Sequence, residues 1–479
     1  MKKNFKISLF GALMATALVS CDPSDFGDMN VDPNNPSVPV TSNLMTTAIR
    51  GIIGPVTDTD PTLYSQQISD KFYTDASRYG IQQFSFNGYY SGPLINLQEI
   101  ISLNTNEATK GTAAQNGPNN NQIAAARILK AYLFWHITDR WGDIPYSQAL
   151  NGRENFKPAY DKQEAIYNSL FTELKEAAAQ ITPGSISGDQ LMGGNMDSWK
   201  RFANSMRLVM ALRLSKVNPE KGKTEFASAM AAGVISSNAQ NVKYVFLADE
   251  NNDNPWEDRF QTRLDYCVSK KMVDLLAGYN DPRLPVFADK AVLTQTYVGM
   301  PYGLEQAAAG AIPNGQVSFL GKALREQTSP GYVMTYAQMQ FSMAEAALRG
   351  WITGDPATFY NKGIEASFGQ YGVYSAAAHA AYIAQPGVTY TPAKGLEQIM
   401  TQKWVALFLN GYEAWAEWRR TGFPTLTPPA STISPSGLIP RRQGYPTTER
   451  DLNGTNYNAA ITTLGGKDDL DGRVWWDKQ

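Results

Sequence analysis

Along much of the chain the apolar positions recur every three or four residues, the spacing of one face of a helix. Asp161 and Glu164 make a capping-box-like start, after which Ile166, Leu170, Leu174, Ala177 and Ile181 share a side and predict an amphipathic helix. The spacing returns from Trp199 through Phe202, Ala203, Met206 and Met210 to Val217, predicting a second helix that stops near Asn218-Pro219. Residues 335–350 and 359–372, separated by Gly354-Asp355-Pro356, predict two helices joined by a tight turn, with Ala344, Ala346 and Ala347 allowing close approach. Leu396 to Arg420 predicts a long helix, or a pair broken around Asn410-Gly411. Strand-like stretches are short and scattered, as at Val242 to Leu247.

Such helix pairs predict a mostly α, solenoid-like scaffold, although no clean 34-residue self-similarity identifies a repeat. Stretches at 56–92, 248–266, 288–332 and 424–472 are rich in Gly, Pro, Asn and aromatics and predict long loops. Loops of that length on a compact scaffold usually carry function.

The first residues break the pattern. Lys2, Lys3 and Lys6 precede an apolar or small run from Ile7 to Leu18, which reads as a signal peptide over residues 1–20. The run is too short for the roughly 20 helical residues that span a bilayer. It ends in Leu18-Val19-Ser20-Cys21, which resembles a bacterial lipobox, so Cys21 is expected to carry a lipid anchor. Residues 21–40, rich in Pro, Asn and Asp, are expected to form an extended tether, leaving 41–479 as a single ligand-binding domain. Acyl chains contribute about 0.8 kcal/mol per buried methylene, so several of them hold a protein on a membrane.

Removing residues 1–20 leaves 459 residues and moves the formal charge from −2 to −5, the opposite of a nucleic-acid binder. With one of two cysteines committed to lipid, Cys267 has no disulfide partner and is expected to be buried. His136 and His379, the only histidines, sit in apolar and alanine-rich runs without metal-ligand spacing, so no metal or other cofactor is expected. Gly184-Ser185-Ile186-Ser187-Gly188 is out of phase with a nucleophile elbow, and Gly222-Lys223-Thr224 lacks the strand and first glycine of a phosphate loop. Acidic runs at 249–253 and 468–472 do not match a calcium-binding EF-hand loop.

Several segments, in this order, resemble the SusD/RagB family of nutrient-capture surface lipoproteins. They are the lipobox followed by FGDMNVDPNNPS at 26–37, AYLFWHITDRWGDIPYSQAL at 131–150, SWKRFANSMRLVMALRLS at 198–215, YNDPRLPVF at 279–287, QMQFSMAEAALRGW at 338–351 and WVALFLNGYEAWAEWRRTGFP at 404–424. The DPNNPS start is most similar to the starch-binding-associated branch. The resemblance implies four tetratricopeptide-like helix pairs, a loop-built binding face, an outer-membrane location and no enzymatic activity. It also implies a TonB-dependent, SusC-like barrel transporter as partner. The cargo it implies is an oligosaccharide, with an oligopeptide, as on the RagB side, the alternative; a surface glycoside hydrolase is a third class, since two carboxylates suffice for it.

Sugar binding needs an aromatic face against the C–H side of a ring and polar groups at its edge. Many of the 24 Tyr, 20 Phe and 10 Trp are expected in the core, but Tyr and Trp in loops also make flat, rigid contact surfaces, so loop aromatics are the candidates. The run from Lys71 to Tyr79 offers Tyr73, Asp75, Arg78 and Tyr79, and Phe86 with Asn87 follow. Trp256 with Arg259, and Tyr302 at the end of the 297–302 segment, complete the expected ligand-binding set. Tyr89, Tyr90, Trp135 and Trp141 are assigned to structure, and Asp143 and Tyr146 to a fold-determining turn. The anchor assignment predicts that Cys21→Ser leaves the domain folded but releases it from the outer membrane. Membrane fractionation with an acyl label checks this, and retention of an unlabelled wild type would refute it.

Overall fold

A computed structural model describes residues 39–478. The signal peptide, Cys21 and all but the last two residues of the tether lie outside the described residues. The principal helices are α1 (Thr41–Arg50), α2 (Ile95–Thr105), α3 (Asn119–Trp141), α4 (Gln163–Ala179), α5 (Met196–Arg213), α6 (Pro219–Ala231), α7 (Pro255–Gln261), α8 (Tyr336–Leu348), α9 (Pro356–Gln370), α10 (Gly395–Ala406) and α11 (Gly411–Thr421). Sequence-adjacent partners pack together: α3 with α4, α5 with α6, α8 with α9, and α10 with α11. The fold is therefore mostly helical, as the apolar spacing predicts.

Local chemistry explains the helix ends. Pro219 opens α6 directly after Asn218, whose side chain caps Lys221 N–H, so the proline that closes one predicted helix starts the next. Asp355 accepts from the amides of Ala357 and Thr358 and starts α9 in the same way. Between α10 and α11 the chain leaves the helical region at Leu409, φ +68°, and Asn410, and α11 restarts at Gly411, where a Cβ would lie 2.3 Å from Thr62 N. One expectation is corrected: Asp161 does not cap α4. Its carboxylate is held by the amides of Tyr146 and Ser147, and Asp143 Oδ1 accepts from Gln163 N–H at 2.9 Å instead.

Six short strands form three antiparallel ribbons: β1 (Ile68–Asp70) with β5 (Tyr266–Val268), β2 (Ile144–Pro145) with β3 (Tyr160–Asp161), and β4 (Val242–Tyr244) with β6 (Gly331–Met334). The segments expected as uninterrupted loops carry short elements of their own, α7 within 248–266 and helices Thr447–Leu452 and Gly454–Thr462 within 424–472. Cys267 and His136 are buried, and burial with Arg140 alongside lowers the His136 pKa well below its ordinary value.

At the junction of α3, α5, α8, α10 and α11 the core is ionic. Arg213, with no exposed surface, meets Asp139 at 3.3 Å, Glu413 at 3.1 Å and Glu417. Arg420 bridges Glu417 and Glu345, and Lys403 lies 3.4 Å from Glu417. Tyr167 and Trp476 donate to Asp139 as well. Arg213→Met would strand these carboxylates in a dry interior, and breaking such a cluster costs about 3–5 kcal/mol. Urea denaturation of the variant should show that loss, and an unchanged midpoint would mean that the cluster is not needed for stability.

Candidate functional site

Four loops are stapled to one another beside the β1–β5 ribbon. Leaving β1, Lys71 N–H donates to Asp265 O at 2.7 Å and its buried ammonium to Ala309 O at 2.7 Å. Thr74 N–H donates to Gln306 Oε1, Ser69 Oγ to Pro301 O, and Ser431 Oγ to Gly303 O. Arg78 Nε donates to Ser431 O at 2.7 Å while Arg78 O accepts from Ile433 N–H at 2.7 Å. The segments 71–80, 263–266, 301–309 and 427–433 are thereby one framework.

Within it, Tyr73 and Tyr79 both adopt the left-handed backbone, φ +54° and +63°, which side chains avoid. Their fates differ. Tyr79 is fully buried between Tyr64, ring centroids 5.8 Å apart, and Tyr302, 6.4 Å. Tyr73 is 67% exposed, with the Arg263 guanidinium 4.7 Å from its ring centre. The backbone strain at Tyr73 is not offset by core contact of its ring, which faces outward. Asp75 is exposed 3.6 Å from Arg78, and Asp70 anchors the turn from beneath by accepting from Ser77 N–H at 3.0 Å.

A second feature lies on the other side of segment 254–266. Asn254 caps α7 through Trp256 N–H and ties down two further carbonyls, Leu324 O and Ser329 O. Trp256 is 2% exposed, with Arg259 stacked over its ring at 4.6 Å and the Tyr266 ring edge-on at 5.7 Å. Its free flank forms a wall of a cavity of about 220 Å³, shared with Tyr332, Tyr371, Phe408, Gln370 and Asn410. Among the described residues no charged side chain lines this cavity. It therefore holds no pair of carboxylates of the kind that glycoside hydrolysis requires.

The structure sorts the residues singled out from sequence. Tyr73, Asp75 and Arg78 share the loop framework with Tyr79 and Tyr302, but Tyr79 presents no surface, and Tyr302 is half-buried with its hydroxyl donating to Leu63 O at 2.7 Å. Trp256 and Arg259 belong to the cavity side, and Trp256 is a wall, not an open platform. Phe86 and Asn87 are elsewhere: Phe86 is a core ring, edge-on to Trp141 at 5.4 Å, and Asn87 Nδ2 donates to Thr448 Oγ1 at 3.0 Å. Expecting open platforms at Tyr79, Phe86 and Trp256 is thus corrected: Tyr79 and Phe86 are buried against rings far away in the chain, and Trp256 is buried between Arg259 and Tyr266 close by. Arg263, Tyr332, Tyr371, Phe408, Gln370 and Asn410 escaped the sequence reading. The only signal for any of them was the helix break at Asn410-Gly411.

Glu250, Asp253 and Asp258 bring carboxylate oxygens within 4.8 Å of one another and are the residues that could hold a cation. Gln327 donates to Glu250 and Asp253, and Gln261 to Glu250. In the other acidic run, Asp468 accepts from Arg442 and from Tyr445 N–H, as a loop anchor does.

Residues 33–446 match the SusD-like family described as starch-binding and associating with the outer membrane. No curated protein sequence matches the chain. Among solved structures it is similar to one named a chitin-binding protein, at 29% identity and TM-score 0.80 over 92% of this chain and 100% of the other. It is also similar to a chitin-binding SusD homolog from Flavobacterium johnsoniae, at 27% identity and TM-score 0.75 over 92% and 97%. A SusD homolog from Bacteroides fragilis matches at 25% identity and TM-score 0.80 over 92% and 100%.

Two outcomes follow from the geometry. Trp256→Ala should lose about 3–5 kcal/mol of stability, as core aromatics do, whereas Tyr73→Ala should leave the melting temperature unchanged; equal melting of the two would contradict the assignment. Burial, with lesser contributions from Asp60 and Asp265, raises the Asp70 carboxyl to about 7, although the Ser77 hydrogen bonds oppose it. The folded state therefore holds this proton better than the unfolded chain, whose pKa is about 3.9, so the stabilisation is complete below that value and lost as pH rises through about 7. Asp70→Asn should raise the melting temperature by an increment that grows from pH 4 to about pH 7 and then levels off. Parallel melting curves across that range would show that Asp70 does not titrate so.

Proposed function

Since this chain belongs to the SusD-like family of starch-binding proteins that associate with the outer membrane, we propose that it captures an oligosaccharide at the cell surface. In this reading Cys21 carries the lipid anchor, Tyr73 is the stacking platform, and a TonB-dependent, SusC-like barrel receives the cargo. Among the described residues no helix is long and apolar enough to cross a membrane, which is compatible with attachment through lipid.

The observation that carries the reading is the outward Tyr73 ring backed by Arg263, with Asp75 and Arg78 beside it. The ring offers a flat face to the C–H side of a sugar, and the charged groups reach hydroxyls at its edge. Two similar structures are those of chitin-binding proteins, which favours a glycan over a peptide. Binding without turnover is part of this reading, and family membership supports it. Isothermal titration of the full chain with a panel of tetrasaccharides and tetrapeptides tests this. Tyr73→Ala should weaken saccharide binding about tenfold, the scale of a lost aromatic contact of roughly 1.4 kcal/mol. Binding of peptides alone, or undiminished saccharide binding by the variant, would overturn it.

A further inference from the structure

A further cavity, of about 520 Å³, opens where the C-terminal tail crosses the start of α4. Its size lies within the roughly 300–1,000 Å³ of small-molecule sites. None of its lining residues belongs to the loop framework around Tyr73 or to the cavity beside Trp256. Trp475 forms one wall, and its neighbours in the tail are tied down. Trp476 Nε1 donates to Asp139 Oδ1 at 2.8 Å, and Lys216 Nζ donates to Lys478 O at 2.7 Å. The Trp475 ring is half-buried, 5.8 Å from the Tyr167 ring, and its indole N–H finds no acceptor among the described residues.

The charges in the lining are three cations, Lys162, Arg473 and Lys478, against three carboxylates, Asp143, Glu164 and Asp477. Lys162 meets Asp143 at 2.8 Å and Arg473 meets Asp477 at 2.9 Å, which holds those side chains in place. Asp143 also accepts from Gln163 N–H and Asp477 from Arg441, so both of these acids are spent. Left open are the Glu164 carboxylate and the Lys478 ammonium, neither with an ion-pair partner among the described residues, and the remaining N–H groups of Lys162 and Arg473. Gln163 adds a buried Oε1 without a donor. A lining of balanced charge draws in neither a polyanion nor a polycation. Donors and acceptors interleaved beside an aromatic ring suit an uncharged ligand whose polar groups each donate and accept, as hydroxyls do, and whose C–H face can cover an indole.

We propose that this cavity is a second saccharide-binding site, with Trp475 stacking on a sugar ring, Glu164 accepting from its hydroxyls, and Lys478 and Arg473 donating to them. This rests on the reading of the protein as a glycan binder and puts two sites on one chain. A polymer long enough to engage both is held by avidity, which a single platform does not supply.

Isothermal titration of the full chain with tetramers of glucose and of N-acetylglucosamine tests the assignment. At least one tetramer should bind at two molecules per chain, and Trp475→Ala should reduce that to one, whereas Tyr73→Ala should leave the tail cavity able to bind. If losing the packing on Tyr167 unfolds Trp475→Ala, Glu164→Ala decides. It should weaken one of the two binding events about tenfold, the factor that loss of a hydrogen bond to a charged group produces, at an unchanged melting temperature. One molecule per chain, lost in Tyr73→Ala and undisturbed in Glu164→Ala, would overturn the second site while glycan capture stands. No binding of either tetramer would overturn both, and a tetrapeptide that binds only while Glu164 is present would overturn the saccharide assignment of this cavity.

Discussion

Everything at the surface of this protein depends on a buried electrostatic knot. Arg213 holds Asp139, Glu413 and Glu417, and Arg420 holds Glu417 and Glu345, so that α3, α5, α8 and α11 are joined by charges with almost no access to water. Apolar contacts are non-directional, whereas displacing an ion pair in a dry interior leaves a charge unpaired. The knot therefore fixes the register of helices that are distant in sequence, and the loops inherit that precision.

The helical scaffold was largely legible in the sequence because its signals are local. Spacing of apolar residues along 163–179, 196–213 and 356–370 depends on neighbours three and four positions away. The motif segments that carried the family resemblance are legible for a related reason: Asp139 and Arg140 in one, Arg213 in another, and Glu413, Glu417 and Arg420 in a third are members or neighbours of the buried network. The miscast cap at Asp161 shows the limit. Whether an acid caps its own helix or a preceding turn depends on where Tyr146 and Ser147 come to rest.

The site was much less legible. Tyr73 and Tyr79 stand six positions apart in the same polar, aromatic run and share a backbone conformation, yet one faces solvent and the other is sealed. What separates them is Tyr302, more than 200 residues on, and Tyr64 beneath. The cavity beside Trp256 is harder still, being assembled from seven stretches of chain that contribute one to four residues each. No local pattern announces a surface whose members meet only after folding.

The clamp at Arg78 has an evolutionary consequence. Its guanidinium and its carbonyl engage the main chain of Ser431 and Ile433, while the hydroxyls of Thr432 and Ser431 add side-chain bonds to Arg78 O and Gly303 O. Replacing residues along that loop leaves the two main-chain bonds in place, so part of what positions the loop is insulated from its own sequence. Such an arrangement lets a lineage rewrite residues along that loop while keeping the main-chain frame that presents them.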